Sequence, residues 1–230
     1  MTDYPLVTIV TPSYNQGQYL ERTILSVLSQ DYPNIEYIIM DGGSTDNSVE
    51  IIKKYQNKIA YWISKKDKGQ SDAINKGWKM AKGIYCSYLN SDDALYPEAV
   101  SKIVKAFSEN RGAGIVYGDY TFINERDEIL ETVRSKLISF RHLLTHGQMP
   151  SIGQPSSFYL TSLVREKGYI NEKLHLAMDY DLLLKLANAS AMIHVPSQIS
   201  YFRLHGASKT STLAKQHWHE TLKVKLNYNK

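Results

Sequence analysis

Asn90-Ser91-Asp92-Asp93 sets two adjacent carboxylates directly after Ile84 to Leu89, an apolar run that reads as a buried strand. Like charges repel, so the pair must either serve a turn or face something positive. Two carboxylates with hydroxyl and amide neighbours suit a hard divalent cation such as Mg2+ or Mn2+. Such an ion takes oxygen ligands and keeps positions for water or phosphate. The simpler reading is helix capping, because Ser91, Asp92 or Asp93 could cap a helix expected over Pro97 to Phe107.

The elements that must position this pair read as strand and helix in alternation. Leu6 to Val10 is a strand, and Leu20, Ile24, Val27 and Leu28 mark one face of a helix. Tyr37 to Met40 is a second strand. It is followed by the turn Asp41 to Asp46, whose Ser44, Thr45 or Asp46 could cap a helix carrying Val49, Ile52 and Tyr55. Ile59 to Ile63 reads as a third strand, followed by a helix near Ser71 to Lys82. Apolar strands alternating with helices predict an α/β fold with a parallel sheet covered on both faces. Ligands of such sheets bind beyond the carboxyl ends of the strands. Four polar loops converge there: Tyr14 and Asn15, then Asp41, then Lys65 to Gly69, then Asn90 to Asp93.

That edge, with an aromatic ring, separate carboxylates including Asp72, and a glycine for close approach, suits a nucleotide whose diphosphate is neutralised by a metal. No G-x-G-x-x-G follows the first strand and no G-x-x-x-x-G-K-[ST] occurs, which argues against dinucleotide and P-loop sites. The second half is less regular. Gly114 to Tyr120 and Glu128 to Val133 read as strands joined at Asn124 to Asp127, Gly147 to Ser157 as a loop, and Asp179 to Ala189 as a helix. Trp62 and Trp78 read as packing residues.

Six segments in order resemble family 2 glycosyltransferases of the GT-A fold: Val7 to Asn15, Ser26 to Gln30, Asp41 to Asp46, Lys68 to Gly77, Asn90 to Asp93, and Met178 to Asp181. The likeness runs from about Leu6 to about Thr210. It implies a Rossmann-like, mostly parallel central sheet with helices on both faces and a smaller C-terminal acceptor-side part. It implies an inverting enzyme that moves a sugar from a nucleoside-diphosphate sugar, with a UDP-sugar as the leading donor, to a hydroxyl of a saccharide or lipid-linked saccharide in cell-surface polysaccharide or glycan synthesis.

The resemblance also implies site residues. Thr11, Pro12 and Tyr14 would contact the base, and Asp41 the base or ribose, although many relatives carry a second Asp where this chain has Gly42. Lys68, Gly69 and Asp72 belong to the same donor cleft. Asn90 to Asp93 resembles the DXD-type motif with Asn90 in its first position; Ser91 and Asp92 would meet the nucleotide, and Asp92 and Asp93 are both candidate ligands of Mn2+ or Mg2+. Asp179 aligns with the catalytic base, and a carboxylate there could take the proton of an attacking hydroxyl, or else merely cap its helix. Tyr201 to Thr210 resembles a late segment of relatives, in which Arg203 and Lys209 could close over the diphosphate and His205 could ligate the metal. Gln154 to Ser157 also recurs, on the donor-sugar or acceptor side.

Bulk properties agree with an ordinary globular chain. The 230 residues are 22% charged and 43% hydrophobic, with a net charge of +4 that calls for no nucleic acid. We expect residues 1–98 to form the nucleotide-sugar half, 99–210 the acceptor and catalytic half of the same domain, and 211–230 a basic, helical tail able to touch a membrane peripherally. The single cysteine, Cys86, excludes an intrachain disulfide and fits a reducing, cytoplasmic setting. No leader pattern and no membrane-length apolar run is read. A sugar-1-phosphate nucleotidyltransferase would share the sheet but needs a Gly-rich, basic first loop, whereas this one is Pro12 to Gly17. A non-catalytic carbohydrate-binding protein on the same fold would have no need of Asp92, Asp93 and Asp179.

Overall fold

The computed structural model describes residues 4–147, 151–206 and 214–228. The first half runs β1 Val7–Ser13, α1 Gly17–Leu28, β2 Ile35–Asp41, α2 Ser48–Tyr55, β3 Tyr61–Ser64, α3 Gln70–Met80 and β4 Tyr85–Tyr88. The second runs β5 Ala94–Leu95, α4 Ala99–Glu109, β6 Ala113–Ile123, β7 Ile129–Val133, α5 Phe140–His146, β8 Ser157–Leu160, α6 Thr161–Glu166, α7 Met178–Ala187, β9 Ala191–Arg203 and α8 Ala214–Tyr228.

One sheet unites both halves, in the order β3-β2-β1-β4-β8-β6-β9-β5, with β7 paired to β6. β1 to β4 are mutually parallel, as the alternating pattern predicts. The departure is β8, which lies antiparallel between β4 and β6. Because β8 reverses direction once on each side, β6 points the same way as β4. Its far end therefore reaches the same edge as the first four strands.

Helices cover both faces. On one face α1, α2 and α4 bury Leu20, Ile24, Ile52, Val100, Ile103 and Phe107. On the other, α3 and α7 bury Ile74, Trp78, Leu182 and Leu183, together with Leu143 of α5 and Val224 of α8. Every residue of β1 is buried, the polar Thr8, Thr11 and Ser13 included, because helices cover the strand on both faces. Trp78 is fully buried and its Nε1 donates to the Ser87 carbonyl at 3.2 Å, which bears out its reading as packing. Cys86 is fully buried, and burial pushes its thiol up to about 12, far from a nucleophile's range. Among the described residues no helix is long and apolar enough to cross a membrane.

Candidate active site at the carboxyl edge of the sheet

The edge is assembled by carboxylates and amides that tie each loop to the next. Ser13, Asp41 and Ser64 end β1, β2 and β3 side by side. Asp41 is buried and accepts from the Gly43 amide at 3.1 Å, the Ser44 amide at 2.9 Å, Ser44 Oγ at 2.5 Å and Ser64 Oγ at 2.6 Å. Its carboxylate therefore builds the β2–α2 turn. Asn15, at φ 51°, accepts from the Thr45 amide at 2.8 Å and donates its own amide to Ser44 Oγ at 2.8 Å. Asp46 accepts from the Gly17 amide at 2.8 Å and the Ser48 amide at 3.0 Å, serving the starts of α1 and α2 together.

Of the first-loop candidates only Tyr14 offers its side chain outward, at 61% exposure. Thr11 is fully buried with its hydroxyl 3.0 Å from Tyr37 Oη, and Pro12 is buried, so both lend backbone to the edge. At Gly42 a side chain would start 2.9 Å from Asp67 Oδ2. Asp67 thus fills the space in front of Gly42 with a carboxylate. Sequence reading missed it, and the signal available was its place beside Lys68-Gly69 in the third polar loop. Gly69 sits at φ 111° with open space around it, a backbone state that favours glycine. Asp72, itself buried, accepts from the Lys68 amide at 2.9 Å and Lys76 Nζ at 2.7 Å. It closes the start of α3, while Lys68 itself is exposed.

The carboxylate pair divides in two. Asp93 is 1% exposed and accepts from the Arg203 amide at 2.9 Å and from Asn90 Nδ2 at 3.2 Å. Burial, and then the neighbouring Asp92 charge, push its carboxyl well above the usual range. Asp92 keeps a side-chain exposure of 20% and lies 2.9 Å from His205 Nε2. Helix capping is not the role of either, nor of the buried Ser91. α4 begins only at Ala99, beyond β5, with Glu98 at its N-cap.

Two further amides brace the turn. Gln70 Nε2 donates to Asn90 Oδ1 at 2.7 Å, and buried Gln154 sits 3.2 Å from Asn90 Nδ2 while donating to the Tyr88 carbonyl at 2.9 Å. Thr23 of α1 donates to the carbonyls of Ser91 and Asp93 at 3.0 and 2.6 Å. None of these bracing roles was legible from residue type.

Arg203 differs from its sequence reading. Its side chain is 2% exposed, and its guanidinium donates to the carbonyls of Asp92 and Asn124 at 2.8 and 2.7 Å and to Asp127 Oδ1 at 2.5 Å. It also lies over the Tyr19 ring at 4.7 Å. A buried guanidinium committed to these partners clamps the Asp92 turn to the β6–β7 hairpin instead of reaching out to a diphosphate. Lys209 lies outside the described residues.

α7 approaches from the other side. Ser71 Oγ of α3 is 2.7 Å from Met178 Sδ, which places the first turn of α7, with Asp179, against the start of α3. Asp179 is partly buried and accepts from the Tyr180 amide at 2.8 Å. It is not the cap, since the N-cap position is Ala177. Its charge is felt by the Tyr88 and Tyr159 hydroxyls, whose pKa values are raised by burial first and by Asp179 second. Asp181 points elsewhere, paired with Lys185 at 3.6 Å.

The comparisons with known proteins agree on one class, the glycosyltransferases. The sequence model of glycosyl transferase family 2 matches residues 8–163, and the chain belongs to that family. An uncharacterized glycosyltransferase of Rickettsia prowazekii is 32% identical over 228 residues, covering 92% of this chain and 68% of its own length. A chondroitin synthase of Pasteurella multocida is 34% identical over 212 residues, 88% of this chain but 21% of that protein. Among solved structures, S. aureus TarS 1-349 in complex with UDP-GlcNAc superposes with a TM-score of 0.78 at 19% identity, covering 96% of this chain and 65% of that one. Mannosyltransferase PcManGT from Pyrobaculum calidifontis, in complex with GDP-Man and Mn2+, gives 0.72 at 17% identity, with the same coverage. The fold is GT-A.

Proposed function

We propose that the chain is an inverting, metal-assisted glycosyltransferase. It moves a hexose or N-acetylhexosamine from a nucleoside-diphosphate donor, with UDP first among the candidates, to a saccharide or lipid-linked saccharide hydroxyl in surface-polysaccharide synthesis. The observation that carries this reading is the Asp92–His205 pair, 2.9 Å apart at the carboxyl edge of the sheet, where Gln70 ties the Asp92 turn to the start of α3. Its relatives' names support the class: a chondroitin synthase, and solved structures with UDP-GlcNAc or with GDP-Man and Mn2+.

In this reading Tyr14 stacks on the base, Asp67 accepts from base or ribose, and Lys68 meets the phosphates. Asp92 and His205 would hold Mg2+ or Mn2+. One carboxylate and one imidazole suit Mn2+; among the described residues no group of three or more His, Cys, Asp or Glu gathers here or elsewhere, so water and the donor's phosphates would have to complete the shell. Such an ion would offset the charge that develops on the departing diphosphate. Asp179 takes the proton of the acceptor hydroxyl as its oxygen attacks the anomeric carbon, and the diphosphate leaves from the opposite face, which inverts that carbon.

Asp179→Asn should lower kcat by about 10²–10⁴-fold while leaving UDP affinity within about twofold. A screen of nucleotide sugars for transfer and hydrolysis, with wild type beside the variant, checks this; near-normal turnover by the variant removes Asp179 as base.

Membrane contact is assigned to the outward side of α8. Trp218, Leu222 and Leu226 are exposed there at four-residue spacing, with exposed Lys223 nearby. Sedimentation with anionic liposomes tests it, and no association with or without anionic lipid defeats it.

A further inference from the structure

The structure assigns Glu220 of α8 as a positioning residue for the base of the transfer reaction, an inference that rests on the role proposed for Asp179. The first amides of any α-helix lack partners within the helix, and α7 has Ala177 at its N-cap with no side-chain bond of its own. That deficit falls at the turn that carries Asp179. One of those amides, that of the N-cap Ala177, is met from outside, together with the two amides that lead into the helix. Glu220 Oε2 accepts from the amides of His175 at 3.1 Å, Leu176 at 2.8 Å and Ala177 at 3.0 Å. One carboxylate thus collects three consecutive N–H groups and sets a negative charge at the positive end of the α7 dipole.

The rest of α8 anchors that carboxylate. Val224 is 2% exposed within the cluster that holds Leu143 and Tyr180. Tyr228 meets Phe140 edge-on at 6.1 Å, and Lys225 Nζ donates to the Thr145 carbonyl at 3.0 Å. Tyr180, next to Asp179, donates to the Leu143 carbonyl at 2.7 Å, so α5, α7 and α8 share one contact region. The C-terminal helix is therefore part of the frame that holds the base. Its apolar anchor and its polar cap are separate residues, which lets them be tested apart.

The test compares Glu220→Ala, Glu220→Gln and Val224→Ala in the full chain. If Glu220 positions Asp179, Glu220→Ala lowers kcat by about tenfold or more with donor KM and UDP affinity within about twofold. Glu220→Gln, whose amide oxygen can still accept, recovers part of the loss. Val224→Ala, which loosens the anchor and keeps the cap, loses thermal stability but retains most of kcat. The inference is overturned if Glu220→Ala keeps wild-type kcat, or if Val224→Ala with an equal drop in Tm loses kcat equally. Hydrogen exchange separates this from the function proposed above. Faster exchange of the Leu176 and Ala177 amides in Glu220→Ala than in Val224→Ala upholds the cap even if no donor is turned over. Equal exchange in the two variants refutes it whatever the activity.

Discussion

Asp92 and Asp93 show how two identical neighbours acquire opposite tasks. Adjacent residues in a turn point different ways, so one carboxylate is buried against the Arg203 amide while the other stays open beside His205. We expect Asp92→Asn to abolish the Mn2+ dependence of UDP binding in calorimetry; binding that remains equally sensitive to EDTA would return the metal to other ligands. Arg203 acts at the same scale through the protein. Arg203→Met leaves the carbonyls of Asp92 and Asn124 without their donor, which should cost about 2–3 kcal/mol of stability by urea unfolding. A loss of UDP affinity with no loss of stability would contradict the clamp. Residue type alone did not reveal any of this. An Asp pair announces negative charge, and only its surroundings say which member is solvated.

At the scale of elements, packing explains a glycine that the motif merely contains. A Cβ at Gly77 would lie 2.5 Å from Val10 Cγ1, so α3 sits directly on β1. Ala is favoured over Gly in a helix by about 1 kcal/mol, while overpacking a tight contact costs about 1–3 kcal/mol. The second effect should win, and Gly77→Ala should lower Tm; a rise would mean that α3 shifts freely. For α8 the sign of a pH effect follows from Glu220. Burial raises its pKa most strongly of any single influence, but the three amide bonds and the nearby His175 charge together outweigh it and the carboxyl is lowered. An acid depressed in the folded state adds stability above its unfolded value, about 4.3, and that stability is lost as pH falls through the folded value. The Tm gap between wild type and Glu220→Gln should therefore be full at pH 7 and shrink as pH falls below about 4.3, the ordinary glutamate value. A gap that does not shrink in acid would refute the cap.

Over the whole molecule, residues far apart in sequence build one edge. β9 returns alongside β6 and β5 and delivers Arg203 and His205 to the turn at Asp92 and Asp93. Ligand at that edge should accordingly stabilise the entire chain in one step. At a hundredfold excess over Kd, UDP with Mn2+ should add about 2.7 kcal/mol and raise a single melting transition, an effect reversed by EDTA. Two transitions, only one of them shifted, would separate the halves 1–98 and 99–210.

The alternation of apolar strands and amphipathic helices over the first ninety or so residues determined the parallel sheet and the loops at its carboxyl edge, because periodicity is a local property of the chain. The late strands were less legible. β8 is short and emerges from a stretch rich in Gly, Pro and Ser, and β9 is interrupted by Pro196 where its register with β6 shifts. What tertiary structure decided was the environment of each polar group: Asp92 open, Asp93 buried, Arg203 inward, and Glu220 holding the start of α7 from 43 residues further along the chain. Exposure and hydrogen-bond partners depend on atoms brought together across a hundred or so residues, and no local pattern encodes them.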